Sequence, residues 1–241
     1  MKKPKFDLNK ELEQIEDITY TEDDKGKYPE LTEKNIRLVD KYVNEKSSYA
    51  PSKNDDFVKK YFQEKKGDIS MASVITKIIL IDTVDSTNLK QNLGKNYYID
   101  FAERIINSDL ETKIARGDSI GDTFKKVASF PKKEVMKKED INFFIFLSKY
   151  ITRTNQYSYR GDAYSIMDGV VKDCLPLYTS GDCKGYKKER KKLELMRNTY
   201  KYDDYCKYIH DNILNKLQGI TRNELDHFIW FSFKKPAARD K

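Results

Sequence analysis

Lys149 and Asp168 are the residues of this chain whose surroundings could give them chemistry. Lys149 sits in the run FFIFLSKYI, with Ile145 and Phe146 one helical turn before it. A lysine in such company either lays its stem along apolar surface with its ammonium in water, or is held where solvation is poor. Poor solvation disfavours the ammonium and lowers its pKa, which a lysine needs to act as a nucleophile near neutral pH. Asp168 follows Ile166 and Met167 and precedes Gly169, Val170 and Val171. An Asp in front of a helix caps it, a contribution of about 1 kcal/mol. Among apolar neighbours its carboxylate could also stabilise a developing cation or orient a nucleophile. For each residue the ordinary role stands beside the chemical one. A carboxylate near the lysine would raise the pKa that burial lowers, so the two effects oppose each other.

The elements that must position these residues read as helices. Ile36, Val39, Tyr42 and Val43 mark one face of a helix over about 32–46, and a second follows at about 55–65 after the loop SSYAPSKND. The run MASVITKIILIDTV at 71–84 is apolar nearly all round, which predicts a helix buried on most sides, with a buried strand as the alternative for its β-branched residues. After the polar turn DSTN come amphipathic helices at about 95–108 and 119–129. Asp140 can cap the apolar helix that carries Lys149, over 140–153, and the polar loop TNQYSYRGD leads on to Asp168. The Lys-rich segment 182–198 is a charged loop or an exposed helix. A Tyr-rich helix at about 200–218 ends at Gly219, and TRNE opens the last helix as a capping box of Thr221 and Glu224. The fold class is therefore all-α, with a charged N-terminal helical lobe over 1–70, frayed before residue 28, and a larger helical domain over 71–241.

Composition narrows the partners. Forty-six Lys and Arg against 39 Asp and Glu give +7, but the placement says more than the total. Six lysines face one Glu from Lys125 to Lys138, eight basic residues face three acids from Asp182 to Lys201, and Glu11 to Asp24 is acidic. Segregation of this kind points to a nucleic acid as partner. Cys174, Cys183 and Cys206 are odd in number without C-x-x-C spacing, so they read as free thiols of a reducing compartment, and the chain as a cytoplasmic one. No apolar run has the length of a membrane span, and the start MKKPKFDLNKELEQ lacks a signal-peptide core. Two histidines and three scattered cysteines do not assemble a metal site, and no phosphate-loop, dinucleotide or nucleophile-elbow motif is present, so neither metal nor cofactor is expected.

A lysine inside a helix, a polar loop, and an aspartate opening the next helix nineteen residues on, as in SKYITRTNQYSYRGDAYSIMD, resembles the active-site segment of the helix–hairpin–helix DNA glycosylases. The similarity is to the 8-oxoguanine glycosylase branch, including its archaeal form, and extends in fragments over about 70–235. LIDTVDSTNLKQNL is similar to that family's helix–turn segment, and TRNELDHFIW to its C-terminal helix. The resemblance implies a two-lobed glycosylase-like fold acting as a monomer on double-stranded DNA, with a damaged or modified purine extruded into a pocket. In that arrangement Lys149 attacks the sugar C1′ and Asp168 steadies the positive charge that grows there. Ser86, Thr87 and Asn88 enter the base stack, and Tyr150, Phe228 and Trp230 are the candidates to stack on the base in its pocket, with core packing as the alternative for aromatics at helical spacing. The family's hairpin is rich in glycine before the lysine, whereas KKEDINFFIFLSK has none, and Gly169 follows Asp168 where the family has a hydroxyl residue and then His. Phosphate anchoring then falls to Lys132, Lys133, Lys137 and Lys138. Two other classes remain open: a nucleic-acid-binding module of the same fold without catalysis, in phage defence or a mobile element, and an interaction scaffold whose charge is only solvated surface.

Overall fold

In a computed structural model, the described residues are 7–46, 53–84, 97–129 and 143–233. They form helices and one two-stranded antiparallel hairpin, so the fold is all-α. The helices are α1 (Glu33–Glu45), α2 (Lys53–Glu64), α3 (Met71–Val84), α4 (Tyr97–Asn107), α5 (Leu110–Arg116), α6 (Gly121–Ala128), α7 (Phe143–Arg153), α8 (Gly169–Cys174), α9 (Pro176–Thr179), α10 (Cys183–Asn198), α11 (Tyr202–Asn212) and α12 (Arg222–Phe233). Two compact units divide them, and neither is a continuous stretch of chain. The first gathers 1–51, 168–195 and 207–241; the second gathers 52–167 and 196–206. The N-terminal segment thus groups with helices from the C-terminal third of the chain.

In the first unit, α1 forms because Ile36, Val39 and Val43 fall on one buried stripe and Thr32 caps its start by accepting from the Asn35 N–H at 3.2 Å. That stripe packs on α12. The Asp40 carboxylate meets His227 Nδ1 at 2.6 Å, and the Glu33 carboxylate accepts from the Gln218 N–H at 2.6 Å. The capping box at α12 is present in both directions: Glu224 N–H donates to the Thr221 hydroxyl, and Thr221 N–H donates to the Glu224 carboxylate.

Residues 20–29 are not frayed chain. Tyr20–Asp23 and Gly26–Pro29 pair as strands β1 and β2 around a two-residue turn, after a short 3₁₀ helix over Lys10–Gln14. The turn places Lys25 in the interior, where its ammonium meets the Asp23 carboxylate at 3.0 Å and the Ser180 carbonyl at 2.9 Å.

The second unit is built on α3, which is a helix and not a strand, packed on α4 and α7. Val74, Ile78 and Ile81 are buried, and Thr76 and Thr83 turn their hydroxyls back to carbonyls of their own helix. The core beside it is aromatic: Phe101 packs edge-on to Phe146, and Phe124 stacks on Tyr202 with centroids 4.4 Å apart. A carboxylate from α11 caps α6, since Asp203 accepts from the N–H groups of Ile120 (3.1 Å) and Gly121 (2.8 Å) and from the Ser119 hydroxyl. Among the described residues no helix is long and apolar enough to cross a membrane.

Candidate functional site

The segment between Lys149 and Asp168 has a defined geometry in the second unit. α7 buries Phe143, Phe144, Phe146, Leu147, Tyr150 and Ile151, and leaves Lys149 half-buried on its outer side. The helix then loosens into one π-helical turn over Thr154–Ser158, an irregularity that recurs at functional positions in helices. Asn155, buried in that turn, donates its amide to the Ile114 carbonyl at 3.2 Å and accepts from the Ala163 N–H at 3.1 Å. Arg160 takes a left-handed backbone (φ 55°) to turn the chain. Gly161 comes next because a Cβ there would lie 2.6 Å from the Asn155 amide group.

Beyond the turn the chain has no regular structure and is held one residue at a time. The Ser165 carbonyl accepts from the Tyr202 hydroxyl at 2.9 Å, and the Ile166 carbonyl from the Tyr205 hydroxyl at 2.6 Å. The Met167 N–H donates to Ser148 Oγ at 3.3 Å in the buried interior. The residue before Lys149 is thus bonded to the residue before Asp168. In the first unit Asp168 is the N-cap of α8, its carboxylate accepting from the Val171 N–H at 2.9 Å. The capping role read from the sequence is present.

The same neighbourhood holds a charge network that local sequence patterns do not reveal. Lys77 of α3 and Glu111 of α5 are both enclosed, with side-chain exposures of 0% and 2%. The ammonium lies 2.6 and 2.9 Å from the two carboxylate oxygens and reaches the Asp68 carbonyl at 3.5 Å. The Tyr150 hydroxyl donates to the same carboxylate. Burial, reinforced by the Glu111 charge, holds the Tyr150 phenol well above its ordinary pKa. Lys77 was discoverable by the argument applied to Lys149, being a charged residue inside MASVITKIIL. Its enclosure makes it an anchor for α3, α5 and α7 and not a nucleophile.

Other sequence-predicted residues are scattered. Tyr150 and Phe228 have no exposed surface and lie in different units, so neither offers a face to a base as placed. Trp230 is half-buried on α12 in the first unit. Ser86, Thr87, Asn88, Lys132, Lys133, Lys137 and Lys138 lie outside the described residues, as do Asp140 and the hairpin segment before α7.

The Lys-rich segment is a helix, α10, firmly mounted in the first unit. Tyr186 donates to the Asp173 carbonyl at 2.9 Å, and Arg190 Nε to the Asp173 carboxylate at 2.7 Å. Burial, with Asp173 adding to it, pushes the Tyr186 phenol up to about 12. A raised folded-state pKa makes this group's contribution complete below the unfolded value of 10.0 and lost as pH rises towards 12. Tyr186→Phe should therefore lose less stability than the parent chain between pH 10 and 12, read from urea midpoints. An identical pH dependence in both would place the phenol in solvent.

Cys174, Cys183 and Cys206 are buried thiols. No curated protein and no solved structure matches the chain. One family model does, described as HI_0787_N, N-terminal domain, over residues 32–158. That span contains α7 with Lys149 and the whole Lys77–Glu111–Tyr150 network, and it ends before Asp168. It covers just over half of the sequence, and the chain belongs to the HI_0787_N family.

Proposed function

We propose that this protein is a DNA base-excision glycosylase with lyase activity, acting on a damaged or modified purine through Lys149 and Asp168. The observation that carries the reading is the buried bond from Met167 N–H to Ser148 Oγ, which within the second unit holds the chain that leads into Asp168 beside the residue before Lys149. Lys149 is half-buried next to it, on a helix whose rotation is fixed by the Tyr150–Glu111 bond.

In the proposed reaction the Lys149 amine attacks C1′ of the extruded nucleotide. The N-glycosidic bond breaks, the base leaves with its electron pair and takes up a proton, and the amine gives up one. Ring opening yields an imine between Lys149 and C1′, and elimination of the 3′ phosphate then cleaves the strand. The Asp168 carboxylate stabilises the positive charge that develops on the sugar. Duplex DNA is the substrate class because the base must be unstacked to be reached.

Borohydride reduces such an imine to a stable amine, so trapping on duplexes carrying 8-oxoguanine, an abasic site or other modified bases tests the reading. A covalent adduct that disappears in Lys149→Gln is the expected result. No adduct on any of these substrates would exclude the lysine mechanism. The missing hairpin glycines favour a second reading, a non-catalytic nucleic-acid-binding module, for which binding is salt-sensitive and indifferent to Lys149→Gln.

A further inference from the structure

We infer that the outer face of α10 is a binding surface for the phosphodiester backbone of duplex DNA, with Lys184, Lys187, Lys188 and Lys191 as its contacts. The inference deepens the proposed function by assigning the contact that the absent glycine hairpin would otherwise supply. All four lysines are exposed. Their spacing of three, four and seven residues places them on one side of the helix. At 1.5 Å per residue the stripe is about 10 Å long, the rise of about three successive phosphates on one strand.

What distinguishes this stripe from a solvated charge run is where the acids of the region go. Asp173 is taken by Arg190, on which the Glu194 charge also acts, and the Glu189 carboxylate by the Tyr208 hydroxyl at 2.8 Å and by Lys192. Asp182 caps α10 by accepting from the Gly185 N–H at 2.7 Å. Among the described residues none of the four lysines has an acidic side chain within ion-pair distance. The helix is also rigidly seated: the Asp24 carboxylate accepts from the Cys183 N–H at 3.1 Å, and Tyr186 and Arg190 hold it to α8. Four unneutralised ammonium groups on a fixed rod raise the local potential and order little else on binding, which suits a regularly spaced polyanion. The stripe reads charge and spacing and carries no base specificity.

The test is fluorescence anisotropy with an unmodified duplex across a salt series, using the full chain. Replacing all four lysines by Gln should weaken duplex binding at least tenfold and flatten the plot of log K against log salt by about 3. The four-Arg counterpart should keep the parent slope. A control in which Lys10, Lys41, Lys207 and Lys216, exposed elsewhere in the same unit, are changed to Gln alters net charge equally and should bind nearly as the parent does. Equal loss in control and stripe variants would reduce the effect to net charge and overturn the assignment. So would an unchanged slope in the stripe variant, absence of duplex binding by the parent chain, or parent binding only to anionic vesicles. Trapping at saturating DNA separates this inference from the enzymatic one: an adduct that survives the stripe substitutions leaves the chemistry standing, and lost duplex binding without any adduct leaves the surface standing.

Discussion

Glu111→Ala should lower the stability of the fold by about 3–5 kcal/mol, the cost of leaving a buried charge without its partner. Lys77 is fully enclosed, and its ammonium has both Glu111 oxygens and a backbone carbonyl as neighbours. Removing the carboxylate strands that charge, and it also orphans the buried Tyr150 hydroxyl, a further penalty of about 1–3 kcal/mol where no water replaces the acceptor. A domain stable by about 5–15 kcal/mol would not survive both comfortably at physiological temperature. Replacing the whole network with apolar groups of similar shape, as in Lys77→Met with Glu111→Leu and Tyr150→Phe, should recover most of the loss, since no desolvated polar group is then left unpaired. Urea unfolding of the single and triple variants is the measurement. A single-variant cost below about 1 kcal/mol would mean that the pair behaves as a solvated one.

The network also shows where a sequence stops informing. Helical periodicity and caps are local properties, so α1, α3, α7 and the Thr221–Glu224 box follow from neighbours within a turn or two of each other. Lys77 announces itself locally as a charge in an apolar run, but its partner lies 34 positions away on another helix. The β1–β2 hairpin is illegible for the same reason. TEDDKGKYP has little apolar alternation, and the burial of Lys25 that the turn entails is stabilised by the Ser180 carbonyl, 155 positions on. Likewise, no local signal tells that residues 1–51 join the C-terminal third in one unit. For Lys149 and Asp168 the sequence carried their types, spacing and capping geometry. The bond between Ser148 and Met167 that pins their segments depends on a tertiary fold.

Asp168 offers the sharper division between a structural and a chemical role, because the two can be removed separately. As the N-cap of α8 it accepts one hydrogen bond from Val171 N–H, and asparagine caps about as well as aspartate. Asp168→Asn should therefore leave the unfolding midpoint nearly unchanged, with at most about 1 kcal/mol lost from the favourable interaction of a negative charge with the helix N-terminus. Under the proposed mechanism, however, the same variant removes the charge that stabilises the cationic sugar. Adduct formation by Lys149 in single-turnover trapping should then slow by about 10²–10³-fold, the size seen when a preorganised electrostatic contact is deleted from a transition state. Asp168→Ala adds the loss of the cap, about 1 kcal/mol of stability, without a comparable further loss of rate. Parent-like trapping by Asp168→Asn would assign the residue to capping alone. A slow Asp168→Asn of parent stability can be explained only by the carboxylate's charge, since side-chain shape and cap are both retained.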